Sequence, residues 1–318
     1  FGHIGDRKGR KVTMYASLLM MGISTSIIGI LPPAASAGVG VVIVLQLMRL
    51  AQCFGRGGTW GGGIFMAYEN VPENKRSFYA AIPQIGLPIG FGLSSILIAV
   101  PTLLLPEDIF FTWGWRIPFL AAIILTLIVI RQKGEMMETE DYKKAQAKLE
   151  AEEAEGKKHK VGFIPMVKGY WKTLLLGCGT RWVDGTFYNI FIVWILSYCI
   201  NWLGMPLIQT YIITIIACIF KIPFTLFGGW CAQKLGNTRT FVIGALASAV
   251  LSIPTLKVIE LSKGNLAITI IGIVLGWSIA YNLIWAVISS LWSSYFETEV
   301  RYSGISFVYH VPSFLVAG

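Results

Sequence analysis

Four ionisable side chains sit where the residues around them are almost wholly apolar: Arg49, Arg181, Asp184 and Lys221. A charge in such a setting is costly unless it is paired or hydrated, so each marks a structural pair or a path for an ion or substrate. Gly177, Arg181, Asp184 and Tyr188 follow one another at spacings of three and four, which places them on one face of a helix. Arg181 and Asp184 can pair within that helix. A neutralised structural pair and a proton-coupling site fit this spacing equally well. Asp184 is the carboxylate in these apolar stretches best suited to take up and release a proton. Arg49 lies about nine residues into its stretch, or roughly 13 Å at 1.5 Å per residue, near mid-membrane depth. It suits an anion or proton pathway; the alternative is a pair with an acid on a neighbouring helix. Lys221, just before Pro223, is expected to snorkel its ammonium to the interface. Arg116 follows two tryptophans and is expected to anchor an outer edge. Tyr281, Asn282 and Trp285 could line a cavity, although aromatics at helical spacing are more often core. The histidines (His3, His159, His310) are scattered, and no nucleophile, metal-spaced or phosphate-loop motif accompanies them. The sequence therefore predicts no enzyme, no metal and no cofactor.

The elements that position these residues are membrane helices. Hydrophobic residues form 55% of the 318-residue chain, charged residues 14%, and mean hydropathy is +0.65. A soluble domain would carry about a quarter charged residues. Apolar residues fall in blocks at 12–31, 39–66, 79–105, 114–131, 172–200, 207–230, 240–258 and 266–292, and a ninth begins at 302–318. A helix needs about 20 apolar residues to cross the hydrocarbon core. The expected fold is thus an all-α membrane protein with eight full transmembrane helices and part of a ninth.

The net charge of +9 could suggest nucleic acid, but its distribution argues against that partner. Nineteen Lys and Arg residues lie in 1–11, 67–78, 131–172, 231–239 and 293–301, whereas the intervening loops hold two. This asymmetry predicts that the loops 1–11 and 132–168 are cytoplasmic. The stretch 132–168, rich in Lys, Glu and Ala, reads as a solvated linker between two bundles. The expected domains are 1–131, 132–168 and 169–318. The five cysteines show no metal spacing or disulfide framework and read as small packing residues. The chain begins at Phe1 inside a loop motif and stops at Gly318 within an apolar block, which predicts a part of a longer protein.

The two halves repeat. GHIGDRKGRK at 2–11 overlays GWCAQKLGNT at 229–238, and ENVPENKR at 69–76 overlays SYFETEVR at 294–301, at offsets of 227 and 225. Two related halves are a common plan of secondary transporters.

The first loop, with Gly2, Asp6, Arg7, Gly9, Arg10 and Lys11, resembles the G-x-x-x-D-R-x-G-R-[RK] loop between helices two and three of the major facilitator superfamily. That resemblance implies two pseudo-symmetric six-helix bundles, here from helix three into helix eleven. It also implies that the loop is a conformational latch, with Glu69, Arg76 and Arg301 in the matching loops. In the second copy Gln233 replaces the acid, so a latch there should be weaker. Arg49, Gln52, Gly57, Gly58, Trp60, Gly61 and Gly62 resemble R-x-x-Q-G-x-x-x-G-G-E-W-G-G in helix four of the metabolite:proton symporters. Cys53 and Thr59 depart from that pattern, and Thr59 stands where the family has an acid. Trp113-Gly114-Trp115-Arg116-Ile117-Pro118-Phe119 and Val300-Arg301-Tyr302-Ser303-Gly304 fit the same family. The glycines of helices four and five (Gly57, Gly58, Gly61, Gly62, Gly63, Gly86, Gly90, Gly92) are expected to permit close packing. Gly86-Leu87-Pro88-Ile89-Gly90 does not match the antiporter signature, which favours symport or uniport.

The resemblance implies proton symport of a small hydrophilic metabolite, an organic acid or a zwitterion such as proline or betaine, through the bacterial cytoplasmic membrane. Arg49, Gln52, Arg181, Asp184 and Tyr188 are the expected pathway residues, and Arg49 tilts the expectation towards an organic anion. The expected partners are that solute, protons and the lipid bilayer, with a monomeric protein. Two alternatives stay open: a facilitator without proton coupling, suggested by Thr59, and a truncated chain that transports nothing.

Overall fold

The structure, a computed structural model, describes residues 10–69, 71–132, 147, 163–298 and 300–316. These residues form helices and turns, with no strand among them. In chain order the main helices are α1 (Arg10–Ile30), α2 (Val39–Glu69), α3 (Arg76–Ala81), α4 (Gly86–Leu104), α5 (Ile117–Arg131) and α6 (Phe163–Tyr188). There follow α7 (Ile195–Asn201), α8 (Leu207–Leu235), α9 (Asn237–Leu261), α10 (Leu266–Ile273), α11 (Asn282–Ser293) and α12 (Arg301–Val316). Two π-helical segments interrupt this pattern: Asn189–Trp194 joins α6 to α7, and Val274–Ala280 joins α10 to α11.

Among the described residues, eight helical stretches are long and apolar enough to cross a membrane: Lys11–Ile30, Val39–Thr59, Glu73–Leu104, Gly114–Arg131, Met166–Asn201, Leu207–Leu235, Asn237–Leu261 and Leu266–Ser293. They coincide with the eight apolar blocks, and α12 occupies the ninth. Large apolar side chains such as Leu104, Ile124, Trp194 and Val250 are exposed along them. A helix in lipid satisfies its backbone internally and leaves its apolar side chains to face the hydrocarbon. Breaks between spans have local causes. Gly236 takes φ +90°, a conformation that side chains rarely adopt, so α8 stops at Leu235 and α9 begins at Asn237. The Asn265 side chain accepts from the amides of Ala267 (3.1 Å) and Ile268 (3.3 Å) and caps α10.

The described residues group into two compact units. One takes them from 1–66, 100–169 and 297–307, the other from 67–99, 170–296 and 308–318. In the first, α1 packs along α5. Arg116 is buried there, which corrects the expected interfacial anchor. Its guanidinium donates to the carbonyls of Leu31 (2.8 Å) and Thr112 and lies 4.6 Å from the Trp115 ring centroid. The carbonyls at the end of α1 draw the cation inwards, as helix C-termini do.

In the second unit, α8 packs against α3, α11 and Val274–Ala280. Its core holds Trp277, Tyr281, Ile284 and Trp292. Gln84 and Trp285 exchange two buried bonds, Gln84 Nε2 to Trp285 O and Trp285 Nε1 to Gln84 O, each 3.1 Å. Ser289 Oγ donates to Ala80 O at 2.9 Å. Of the span Leu266–Ser293, 61% is buried, against 6% of Val39–Thr59, so polar side chains on the former are the better sheltered from lipid. The glycine expectation needs correction at four of its eight positions. A Cβ on Gly63, Gly86 or Gly90 would meet open space, and one on Gly92 would make an ordinary 3.5 Å contact with Cys218. Of the expected linker 132–168, residues 133–146 and 148–162 lie outside the described residues, whereas 163–168 form the start of α6.

Candidate functional site

Arg181 and Asp184 stand one turn apart on α6. Asp184 is fully buried, and the Arg181 guanidinium pairs with its Oδ2. Arg181 Nε donates to Ser313 Oγ of α12 at 3.0 Å, and the guanidinium lies 4.3 Å from the Tyr309 ring centroid. The other carboxylate oxygen, Oδ1, accepts from the Tyr281 hydroxyl at 2.7 Å. Each oxygen of one buried acid is therefore held by a donor, one from its own helix and one from the residue just before α11. Charge-assisted bonds of this kind are about twice as strong as neutral ones.

Lys221 of α8 lies over the ring of the same tyrosine. Its Nζ is 4.6 Å from the Tyr281 ring centroid and 5.0 Å from that of Trp277. The residue is fully buried, and its Nζ has no hydrogen-bond partner among the described residues. The expected snorkelling is thus overturned. The reason is the face on which Lys221 lies: Thr214, Ala217, Cys218, Thr225, Gly228 and Gly229 are all buried at helical spacing along α8. The Lys221 carbonyl accepts from Asn282 Nδ2 at 2.8 Å, which pins this turn against α11.

Both π-helical segments abut the cluster. Asn189–Trp194 begins just after Tyr188, and Val274–Ala280 ends just before Tyr281. A π segment widens one turn and re-aims the side chains on either side, and such segments recur at functional sites. The two segments meet through Gly276, where a Cβ would stand 2.3 Å from Phe191 Cε1.

Of the expected pathway residues, the second unit brings Arg181 and Asp184 into direct contact. It also sets the Tyr188 ring 6.4 Å from that of Phe91, which itself lies 6.4 Å from Trp277. Arg49 and Gln52 belong to the first unit. Gln52 Nε2 donates to Thr25 Oγ1 at 2.7 Å and ties α2 to α1. Arg49 is exposed, and no acid pairs with it among the described residues. Tyr281 and Lys221 are the members that reasoning from the sequence set aside.

The latch residues Gly2, Asp6, Arg7 and Gly9 lie outside the described residues, as do the side chains of Arg10 and Glu69. Lys11 is in the first turn of α1. Arg76 opens α3, 3.6 Å from Glu73 and 5.3 Å from the Tyr68 ring centroid. Arg301 is buried at the start of α12. In the second copy of the loop, Gln233 accepts from the Phe78 amide at 3.3 Å and donates to the Asn74 carbonyl. Gln233→Ala removes both bonds. It is expected to cost about 1–2 kcal/mol, read as a lower Tm of the purified protein.

Residues 1–316 match the Major Facilitator Superfamily. The chain belongs to that superfamily. Within the major facilitator superfamily it is 32% identical to the inner membrane metabolite transport protein YhjE of Escherichia coli, over all of this chain and 71% of that protein. It is 29% identical to the shikimate transporter of Escherichia coli, over all of this chain and 71% of that protein. With the proline/betaine transporter of Salmonella typhimurium it shares 28% identity over all of this chain and 63% of that protein. A solved structure of the proton:xylose symporter XylE bound to 6-bromo-6-deoxy-D-glucose superposes with a TM-score of 0.77, at 17% identity, over 99% of this chain and 73% of that one. At that identity the likeness establishes the major facilitator fold alone. This major facilitator protein is accordingly a membrane transporter and not an enzyme.

Proposed function

We propose that the protein carries a small hydrophilic metabolite, an organic acid or a zwitterion, across the bacterial cytoplasmic membrane together with a proton. The observation that carries this reading is the burial of Asp184 in an apolar span, with Arg181 on one carboxylate oxygen and Tyr281 on the other. Protonation of that carboxylate would release Arg181 and loosen the tie between α6 and α11. A single proton thereby acts on the packing of two spanning helices. The names of the relatives, among them a shikimate transporter and a proline/betaine transporter, support the class of solute.

In this reading the chain divides into bundles at 1–131 and 169–318, exposed alternately to the two sides. The bonds from Gln84 and Ala80 to Trp285 and Ser289 would then break and re-form in each cycle. The charge asymmetry supports cytoplasmic placement of 1–11 and 132–168, and the working unit is taken as a monomer. Uncoupled facilitation is the second reading. Thr59, where related symporters carry an acid, bonds its hydroxyl to Gly55 O (2.7 Å) and lies 3.1 Å from Met21 Sδ, so it supplies no carboxylate there.

The test is uptake of labelled organic acids and zwitterions by vesicles holding the full-length protein, with and without an inward proton gradient. Symport predicts accumulation above equilibrium only with the gradient. Arg49→Ala is expected to reduce uptake of the accepted acid about tenfold at low concentration, the loss of one charge-assisted contact. Uptake that only equilibrates in either condition would instead establish the facilitator.

A further inference from the structure

The mechanism above leaves one buried charge unused. Lys221 is fully enclosed, and its ammonium, which has three donors and no acceptor, finds no hydrogen-bond partner among the described residues. It faces the rings of Tyr281 and Trp277 at 4.6 and 5.0 Å, and cation–π attraction offsets only part of its lost hydration. The neighbouring acid does not complete it. Asp184 acts on Lys221 electrostatically, but no hydrogen bond joins the two, and the carboxylate oxygens are bonded to Arg181 and Tyr281. With Lys221 protonated, it and Arg181 beside the single carboxylate of Asp184 leave one positive charge in excess. An apolar side chain of similar length would pack this position at lower cost, since an ion without a partner is far more expensive to bury than a hydrocarbon.

We propose that the Lys221 ammonium receives the carboxylate of the transported solute, and that the solute is an organic anion rather than a zwitterion. This inference rests on the transport reading given above and names the substrate class for it. A ligand with one net negative charge both completes the ammonium's hydrogen bonds and balances the cluster. The two rings that cover Nζ occupy the place such a ligand would take. Trp277 belongs to the π segment Val274–Ala280 and Tyr281 follows it directly, so one shift of that segment uncovers the ammonium. The same shift draws the Tyr281 hydroxyl from Asp184. Tyr281 is thus a positioning residue between an anion site on one side and a proton site on the other.

Equilibrium binding of labelled shikimate, succinate and betaine to the purified full-length protein tests the proposal, alongside Lys221→Met, Lys221→Arg and Asp184→Asn. The wild type is expected to bind one of the two acids more tightly than betaine. Lys221→Met is expected to weaken that binding at least about tenfold, as loss of a charged hydrogen bond does, and Lys221→Arg to recover part of it. Ligand-free Lys221→Met should melt no lower than the wild type, because it removes an unpartnered buried charge; a purely structural lysine would melt lower when replaced. Unchanged acid binding by Lys221→Met, a preference for betaine, or no binding of either acid by the wild type would each overturn the proposal. Asp184→Asn separates the two readings. If it still accumulates solute on a gradient, the assignment of Asp184 as the coupling acid fails, whereas the Lys221 proposal is judged on the Lys221→Met binding alone.

Discussion

Asp184→Asn is expected to reduce gradient-driven accumulation to simple equilibration while leaving solute exchange across the membrane intact. A proton gradient of one pH unit is worth about 1.4 kcal/mol, so one proton moved electroneutrally with each solute supports roughly tenfold accumulation. The amide keeps the shape of the acid and can still accept from the Tyr281 hydroxyl, but it has no proton to cycle. Its second consequence is on stability. Arg181 is largely buried, with its side chain 13% exposed, and loses its partner in this variant. Breaking a buried pair from one side costs about 3–5 kcal/mol. The double variant Asp184→Asn, Arg181→Gln is therefore expected to recover melting temperature without recovering accumulation. Accumulation ratios in vesicles and melting curves in detergent read the two effects separately.

Gly276→Leu is expected to destabilise the folded protein strongly. A Cβ at this position would lie 2.3 Å from Phe191 Cε1 and 2.8 Å from Thr255 Cγ2, and both neighbours are themselves buried. Overpacking a close-fitted interior costs about 1–3 kcal/mol or more, and here the clash falls where two π-helical segments meet. The segments flank Tyr188 and Tyr281, so the defect should reach transport as well as stability. Phe191→Ala in the same chain opens space for the new side chain and should restore part of the stability, a coupling that a double-mutant cycle measures.

The spans were legible in the sequence because a bilayer requires about 20 apolar residues in a row, and no other demand of the fold is so uniform. The block at 39–66 became α2, and that at 207–230 became the body of α8. The pair of Arg181 and Asp184 was legible for a local reason, since i,i+3 neighbours on a helix meet wherever that helix is placed. Tyr281 was not, because it lies 97 residues from Asp184 and their bond exists only through tertiary packing. Lys221 was misjudged by weighing its flexible stem alone. The small residues Ala217, Cys218, Thr225 and Gly228 at helical spacing around it already marked an inward face. The π segments carry no spacing signature, so nothing in the chain announced that the register changes beside both tyrosines. Gly236 was legible through the internal repeat, as the counterpart of Gly9, and its φ of +90° supplies the physical cause for a glycine there.

The central claim is that a proton taken up by Asp184 travels with the solute. Its most direct test is the pH of a lightly buffered vesicle suspension on addition of the accepted solute. The account predicts external alkalinisation for the wild type and none for Asp184→Asn, although both admit labelled solute. Equal alkalinisation by both proteins, or solute movement with no pH change in the wild type, would contradict it.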